Sequence, residues 1–176
     1  MSDFIESIEY SRFTDIRGSF SEAYNPAIQE HYFPDGIKQI STSTSLRGVI
    51  RGFHAQPRMG KMIRVVRGSA YLVSVNIDRH SPLYLDRLVH LLTEYSPRWI
   101  YAPSWYARAF IALQDNTIVE YLQTAPHRPD EAVTIAWNDP TIGVDWSYLS
   151  NVYQSDFILS EKDQNGTLLS DFTWSW

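Results

Sequence analysis

Polar and apolar residues alternate with a period of two along much of the chain, and a helical period is rare. MIRVVRGSAYLVSVNI (62–77) reads as two strands around Arg67-Gly68-Ser69. Successive side chains of a strand point to opposite sides. In the second strand, Tyr71, Val73, Val75 and Ile77 therefore share one face, and Ala70, Ser74 and Asn76 the other. TIVEYLQT (117–124) alternates too, with Thr117, Val119, Tyr121 and Gln123 on one face. LDRLVHLLTE (85–94) fits a strand or a helix, and its context favours the strand. PAIQEHYF (26–33) predicts a short helix. From Trp137 onward the chain is turn-rich, a tail expected to wrap as loops with a helical turn or two. Short strands joined by Gly, Pro and Asn turns predict a β-sandwich or barrel. No internal repeat, low-complexity tract or linker interrupts the pattern.

Composition narrows the picture. A length of 176 residues predicts one domain spanning 1–176, with 44% hydrophobic and 20% charged residues. The net charge of −5 argues against a nucleic-acid partner. An anionic ligand would need a local cluster of arginine and lysine working against that charge. The chain has no cysteine, which removes disulfides, thiolate zinc sites and a cysteine nucleophile. The opening MSDFIESIEY lacks the basic and apolar regions of a signal peptide, and no run is long enough to span a membrane. A cytoplasmic protein without membrane contact is expected.

The stretch GVIRGFHAQ (48–56) raises the first chemical question. As a regular strand it would turn Ile50, Gly52, His54 and Gln56 to one side, an odd set for a core. Glycine there leaves room for a close approach. His54 is then either a satisfied structural histidine or a general base lining a lumen, since histidine titrates near neutral pH. Read singly, Tyr121 fits a core tyrosine, Lys61 a solvated strand end, and Asp163 in SEKD a turn or helix cap. The five histidines form no His-x-His pair, the usual start of a metal set in such barrels. The serine-hydrolase and phosphate-loop signatures are absent.

Several segments taken in order carry a resemblance. They are DIRGSFSEAYN (15–25), GVIRGFHAQ (48–56), GKMIRVVRGSAYLVSVNIDRHSP (60–82), WIYAPSWYARAF (99–110), VEYLQT (119–124), WNDPTIGVDW (137–146) and ILSEKD (158–163). The chain resembles the dTDP-4-dehydrorhamnose 3,5-epimerase family over nearly its whole length. The resemblance implies an all-β, cupin-like jelly-roll barrel with short peripheral helices, usually a homodimer. It implies a nucleotide-linked 4-keto-6-deoxy-hexose as substrate, inverted at carbons beside the ketone without metal or cofactor. His54 corresponds to the family's base, Asp163 to its orienting carboxylate, Tyr121 to its proton donor and Lys61 to the lysine that stabilises the enolate. Arg17 and Arg51 match diphosphate-gripping positions. Phe20, Glu22 and Gln39 match positions near the nucleotide. The segment from Arg17 to Glu22 is expected to reach across the dimer. The chemistry suits these types: a neutral histidine takes a proton α to a ketone, a carboxylate fixes its ring, and a cation offsets the enolate charge.

The chain also departs from the family. Where a GFAHGF-like stretch carries a histidine, WYARAF has Arg108. Arginine stays charged and cannot act as a base near neutral pH. Arg108 is assigned to substrate binding, at the enolate oxygen or a phosphate, or reshapes the cavity for another sugar. The second aromatic after the Tyr121 strand is replaced by the loop APHRPD, with His127 near its position, and Ser41 stands where asparagine is common. Three functions follow as expectations: an epimerase acting at C3, C5 or both; a single-carbon epimerase or ketoisomerase on another nucleotide sugar; or a catalytically silent sugar-nucleotide binder.

Overall fold

The computed structural model describes residues 4–146 and 157–173. Its strands are β1 (Glu6–Glu9), β2 (Arg12–Asp15), β3 (Gly18–Ser21), β4 (Gln39–Ser45), β5 (Ile50–Ala55), β6 (Lys61–Arg67), β7 (Ser69–Asn76), β8 (Arg87–Thr93), β9 (Arg98–Ala102), β10 (Tyr106–Ala112), β11 (Thr117–Gln123) and β12 (Val133–Thr134). Two five-stranded antiparallel sheets, ordered β1-β9-β6-β11-β4 and β12-β5-β10-β7-β8, face each other, and β2–β3 forms a separate hairpin. The expected β-barrel, with 85–94 as a strand, is what the chain adopts.

The strands in 62–77 lie where alternation predicts them, yet they do not pair with each other. β6 belongs to the first sheet and β7 to the second, so Gly68 turns a corner between layers. Gly68 has φ +77, and a Cβ on it would lie 2.6 Å from Thr117 Oγ1, so only glycine fits without strain. Both faces of β7 are covered. Ala70 and Leu72 pack between the sheets with Ile63, Val65, Ile100 and Val119. Val73, Val75 and Ile77 pack outward under the tail, against Ile135, Ile142, Trp146 and Leu169. Each large apolar side chain buried this way contributes about 1.5–3 kcal/mol.

The first sheet is covered by α1 (Pro26–Tyr32), which begins as its sequence predicts. Asn25 caps it, its side chain accepting from Ile28 N–H at 3.1 Å, and Pro26 starts the first turn. Ile28, Tyr32 and Phe33 pack on Met62, Trp99, Tyr101 and Leu122.

The tail is stapled rather than merely wrapped. Asp139 is 2% exposed. Its Oδ1 accepts from the backbone N–H of Thr141 and Ile142 at 2.8 and 3.0 Å, and its Oδ2 from Leu169 N–H at 2.7 Å. Trp146 Nε1 donates to Trp137 O at 2.7 Å. WNDPTIGVDW is therefore a structural clasp. Two parallel bridges, Val49 with Ile158 and Ile135 with Thr167, anchor both sides of the short helix α2 (Glu161–Gln164). Residues 147–156 of the tail lie outside the described residues.

Candidate active site

A cavity of about 560 Å³ opens between the two sheets. β5 supplies Arg51 and His54, β6 Lys61, β10 Arg108, β11 Tyr121, and α2 Lys162. Among the described lining residues no Asp or Glu appears, while four are Arg or Lys: Arg51, Lys61, Arg108 and Lys162. The local positive cluster that an anionic ligand requires is thus present in a chain of net charge −5.

β5 does not run as a regular strand. His54 pairs with Arg108 and Arg51 with Phe110, so three residues of β5 span two of β10. This bulge corrects the expected faces. Ile50 packs in the outer cluster with Phe53, while Arg51, His54 and Gln56 line the cavity. Gly52 takes φ +125, and a Cβ there would lie 2.4 Å from Arg108 O and 2.6 Å from Ala109 Cα. Its space is thus filled by the β10 backbone and is not left for a sugar.

His54 Nε2 lies 2.6 Å from Asp163 Oδ1. The His54 side chain is 37% exposed and that of Asp163 5%, so the ring opens on the cavity and the carboxylate is sealed behind it. Ser160, the cap of α2, accepts from Asp163 N–H at 3.2 Å and donates to its Oδ2 at 2.8 Å. Burial pushes the Asp163 carboxyl up, but hydrogen bonds from His54, Ser160 and Gly52 N–H and the charge of His54 outweigh it and hold it below its ordinary value. An ionised Asp163 accepts from Nε2–H, which leaves the lone pair of neutral His54 on Nδ1.

Tyr121 hydroxyl lies 3.1 Å from Ser43 Oγ. Burial pushes its phenol up to about 12, against opposing effects of Ser43 and Arg51, so it stays protonated. Lys61 Nζ stands 5.9 Å from the Tyr121 ring centroid. Burial, followed by the charges of Arg108 and Lys162, pushes the Lys61 ammonium down to about 7. Arg51 is steadied by Ser45 Oγ at 3.1 Å and Thr44 O at 3.2 Å.

The fold gathers His54, Lys61, Tyr121, Asp163, Arg51 and Arg108 at this one cavity. Gln39 does not line the cavity but bonds two residues that do, donating to Ser41 Oγ at 3.0 Å and accepting from His127 N–H at 2.7 Å. Arg17, Phe20 and Glu22 are not brought there. All three are exposed, and Arg17 and Phe20 line a groove of the β2–β3 hairpin. Sequence reasoning missed Gln56, which clamps the His127 loop through Pro126 O at 3.0 Å and Arg128 N–H at 2.9 Å. It also missed Ser43, Ser160 and Lys162. Only the signal that Ser160 precedes a short acidic turn was available for these.

Residues 3–171 match the dTDP-4-dehydrorhamnose 3,5-epimerase family. The chain belongs to this family. It is 39% identical to the dTDP-4-dehydrorhamnose 3,5-epimerase of Methanothermobacter thermautotrophicus over 161 residues, covering 90% of this chain and 85% of that protein. Identity to the Pseudomonas aeruginosa epimerase is 33% over 163 residues, covering 90% and 87%. The solved epimerase of Mycobacterium tuberculosis superposes with a TM-score of 0.85 at 33% identity, covering 95% of this chain and 84% of that one. The Legionella pneumophila epimerase, solved with dTDP-4-keto-L-rhamnose, gives a TM-score of 0.87 at 28% identity, covering 96% and 89%. Membership makes the chain an isomerase-class enzyme with a cupin-like fold. No helix among the described residues is long and apolar enough to cross a membrane.

Proposed function

We propose that this enzyme epimerises a dTDP-linked 4-keto-6-deoxy-hexose at C3, C5 or both by proton removal and return. The observation that carries the reading is the 2.6 Å His54–Asp163 pair on the wall of a cation-lined cavity also lined by Tyr121. In this reading His54 takes the proton α to the ketone, and ionised Asp163 orients the ring and stabilises the imidazolium that forms. Tyr121, protonated well above neutral pH, returns a proton from the opposite face. Lys61 offsets the enolate charge while it is protonated. Arg51 grips the diphosphate from the cavity wall. Each well-placed proton-transfer group contributes roughly 10²–10⁴-fold.

The protein works as a cytoplasmic homodimer in which Arg17, Phe20 and Glu22 of one copy complete the nucleotide site of the other, next to Gln39. The exposure of Phe13, Ile16 and Phe20 at 57%, 105% and 64% supports a covered hairpin. Incubation with dTDP-4-keto-6-deoxyglucose in D₂O, read by NMR and mass spectrometry, tests the reaction. Deuterium at C3 and C5 establishes the double epimerase, deuterium at one carbon a single-site enzyme. No exchange overturns the reading in favour of a binder or another substrate.

A further inference from the structure

One charged side chain of the cavity has no partner that accounts for its burial. Arg108 is 5% exposed, and a buried guanidinium is costly unless its N–H groups are paired. Its Nη1 donates to Ala102 O at 3.3 Å. Its Nε and Nη2 have no hydrogen-bond partner among the described residues. The lining offers no carboxylate among the described residues. Register sets Arg108 directly across from His54 on the adjacent strand. Opposite residues of an antiparallel pair point to the same side, with Cα atoms about 5 Å apart. A buried cation with unpaired donors, opposite the histidine and with no carboxylate in the described lining, is suited to an oxygen that becomes negative.

We propose that Arg108 holds the enolate oxygen formed in the reaction. This inference rests on the epimerase reading of the cavity. In the step, the C–H bond α to the ketone breaks and its proton passes to His54. The electron pair forms a C=C bond, and the carbonyl π pair moves onto oxygen, where Arg108 donates to it. Reprotonation of the carbon reverses the electron flow and restores the ketone, so no further reactant is consumed.

Lys61 is the competing cation. Its ammonium is pushed down by burial and by Arg108 and Lys162 to about 7, whereas burial pushes Arg108 down only to about 10. Arg108 therefore keeps its charge at pH values where Lys61 has lost its own. The titratable and charged groups facing the pair are Arg51 and His54 from β5, Tyr101 from β9, Tyr121 from β11, His127 from the loop after β11, and Lys162 from α2, with Asp163 behind His54. Burial pushes both tyrosines up to about 12, so neither titrates between pH 7 and 9.

The test compares wild type with Arg108→Gln, Arg108→Met and Arg108→Lys. It follows deuterium uptake from D₂O into dTDP-4-keto-6-deoxyglucose between pH 6 and 9, and thermal unfolding of each protein. Removal of an oxyanion donor is expected to slow exchange about 10²–10³-fold. Arg108→Gln should also gain a falling limb above pH 7, where Lys61, no longer depressed by the Arg108 charge, discharges, and this fall should be steeper than in wild type. Arg108→Lys should recover part of the loss. The Tm of Arg108→Met should be unchanged or higher, because a buried unpaired charge is gone. Exchange at the wild-type rate in Arg108→Gln overturns the inference alone. A rate loss accompanied by a lowered Tm in both neutral variants assigns Arg108 to the scaffold and also overturns it. A wild type that exchanges no deuterium overturns the epimerase reading and this inference with it.

Discussion

Arg51 and Arg17 were both assigned to the diphosphate, and the fold treats them in opposite ways. Arg51 lies on the cavity wall, tied to Ser45 and Thr44 across the chain turn before β5. Around it the decisive contact, His54 to Asp163, joins residues 109 positions apart. Arg17 is bonded to Asp15, two residues away, with its side chain 86% exposed among uncovered aromatic and aliphatic side chains. The cavity is finished by long-range contacts within one chain. The hairpin is tied to the rest of the chain at its base, where Arg12 donates to Glu94 O at 2.6 Å, while Arg17 near its tip is bonded locally, as expected of a surface completed by another molecule. The contrast separates chemistry, which one chain assembles, from nucleotide grip, which under the proposed homodimer takes two.

The strongest way to break this contrast is at the dyad. His54→Ala is expected to slow deuterium exchange by roughly 10²–10⁴-fold, the worth of a positioned general base. The protein should remain folded with a Tm lowered by several degrees, because the buried Asp163 loses its main partner. Near-wild-type exchange in the purified variant would move the base elsewhere. Tyr121→Phe should act on a different step. Exchange should persist within about tenfold while inversion drops by roughly 10²-fold, again the scale of one proton-transfer group. Product NMR that shows normal inversion would assign the returned proton to water or another donor.

The hairpin gives a smaller effect of another kind. Arg17→Ala should raise KM by about 10–100-fold, the value of a charged hydrogen bond, and leave kcat unchanged. Light scattering should show a dimer in both proteins. A monomeric wild type, or an unchanged KM, would detach the hairpin from the site.

Stability against pH gives the smallest effect and tests the cavity without substrate. Asp163 is held below its ordinary value, so its contribution is full above about pH 4 and is lost as pH falls through its folded value. Lys61 behaves the other way. Its folded value near 7 lies below the ordinary 10.5, so the unfolded chain binds more protons between them and stability rises with pH across that window. Lys61→Met should flatten this rise. The expected change in Tm is about 2–4 °C, the response of a domain of this size to about 1 kcal/mol. An unchanged slope would show that the ammonium is more hydrated than its surroundings imply.

Much of this molecule was legible in the sequence. A period of two located β7 and β11 and the shared face of Val73, Val75 and Ile77, and context favoured β8 as a strand. PAIQEHYF located α1, and the turn-rich tail was visible from Trp137. These features depend on neighbours a few residues apart, and local sterics and side-chain alternation encode them directly. The order of the RGFH, GK, WNDPTIGVDW and LSEKD segments carried the family resemblance. Tertiary structure decided the rest. It sent β6 and β7 into different sheets, broke the phase of β5 at Gly52, filled the glycine's space with the β10 backbone, and set Arg108 across from His54. It also brought α2 back so that Asp163 backs the ring. Each of these depends on which distant strand arrives and in what register. Alternation within a strand says which residues share a face. Only the pairing of strands far apart in the chain says what that face meets.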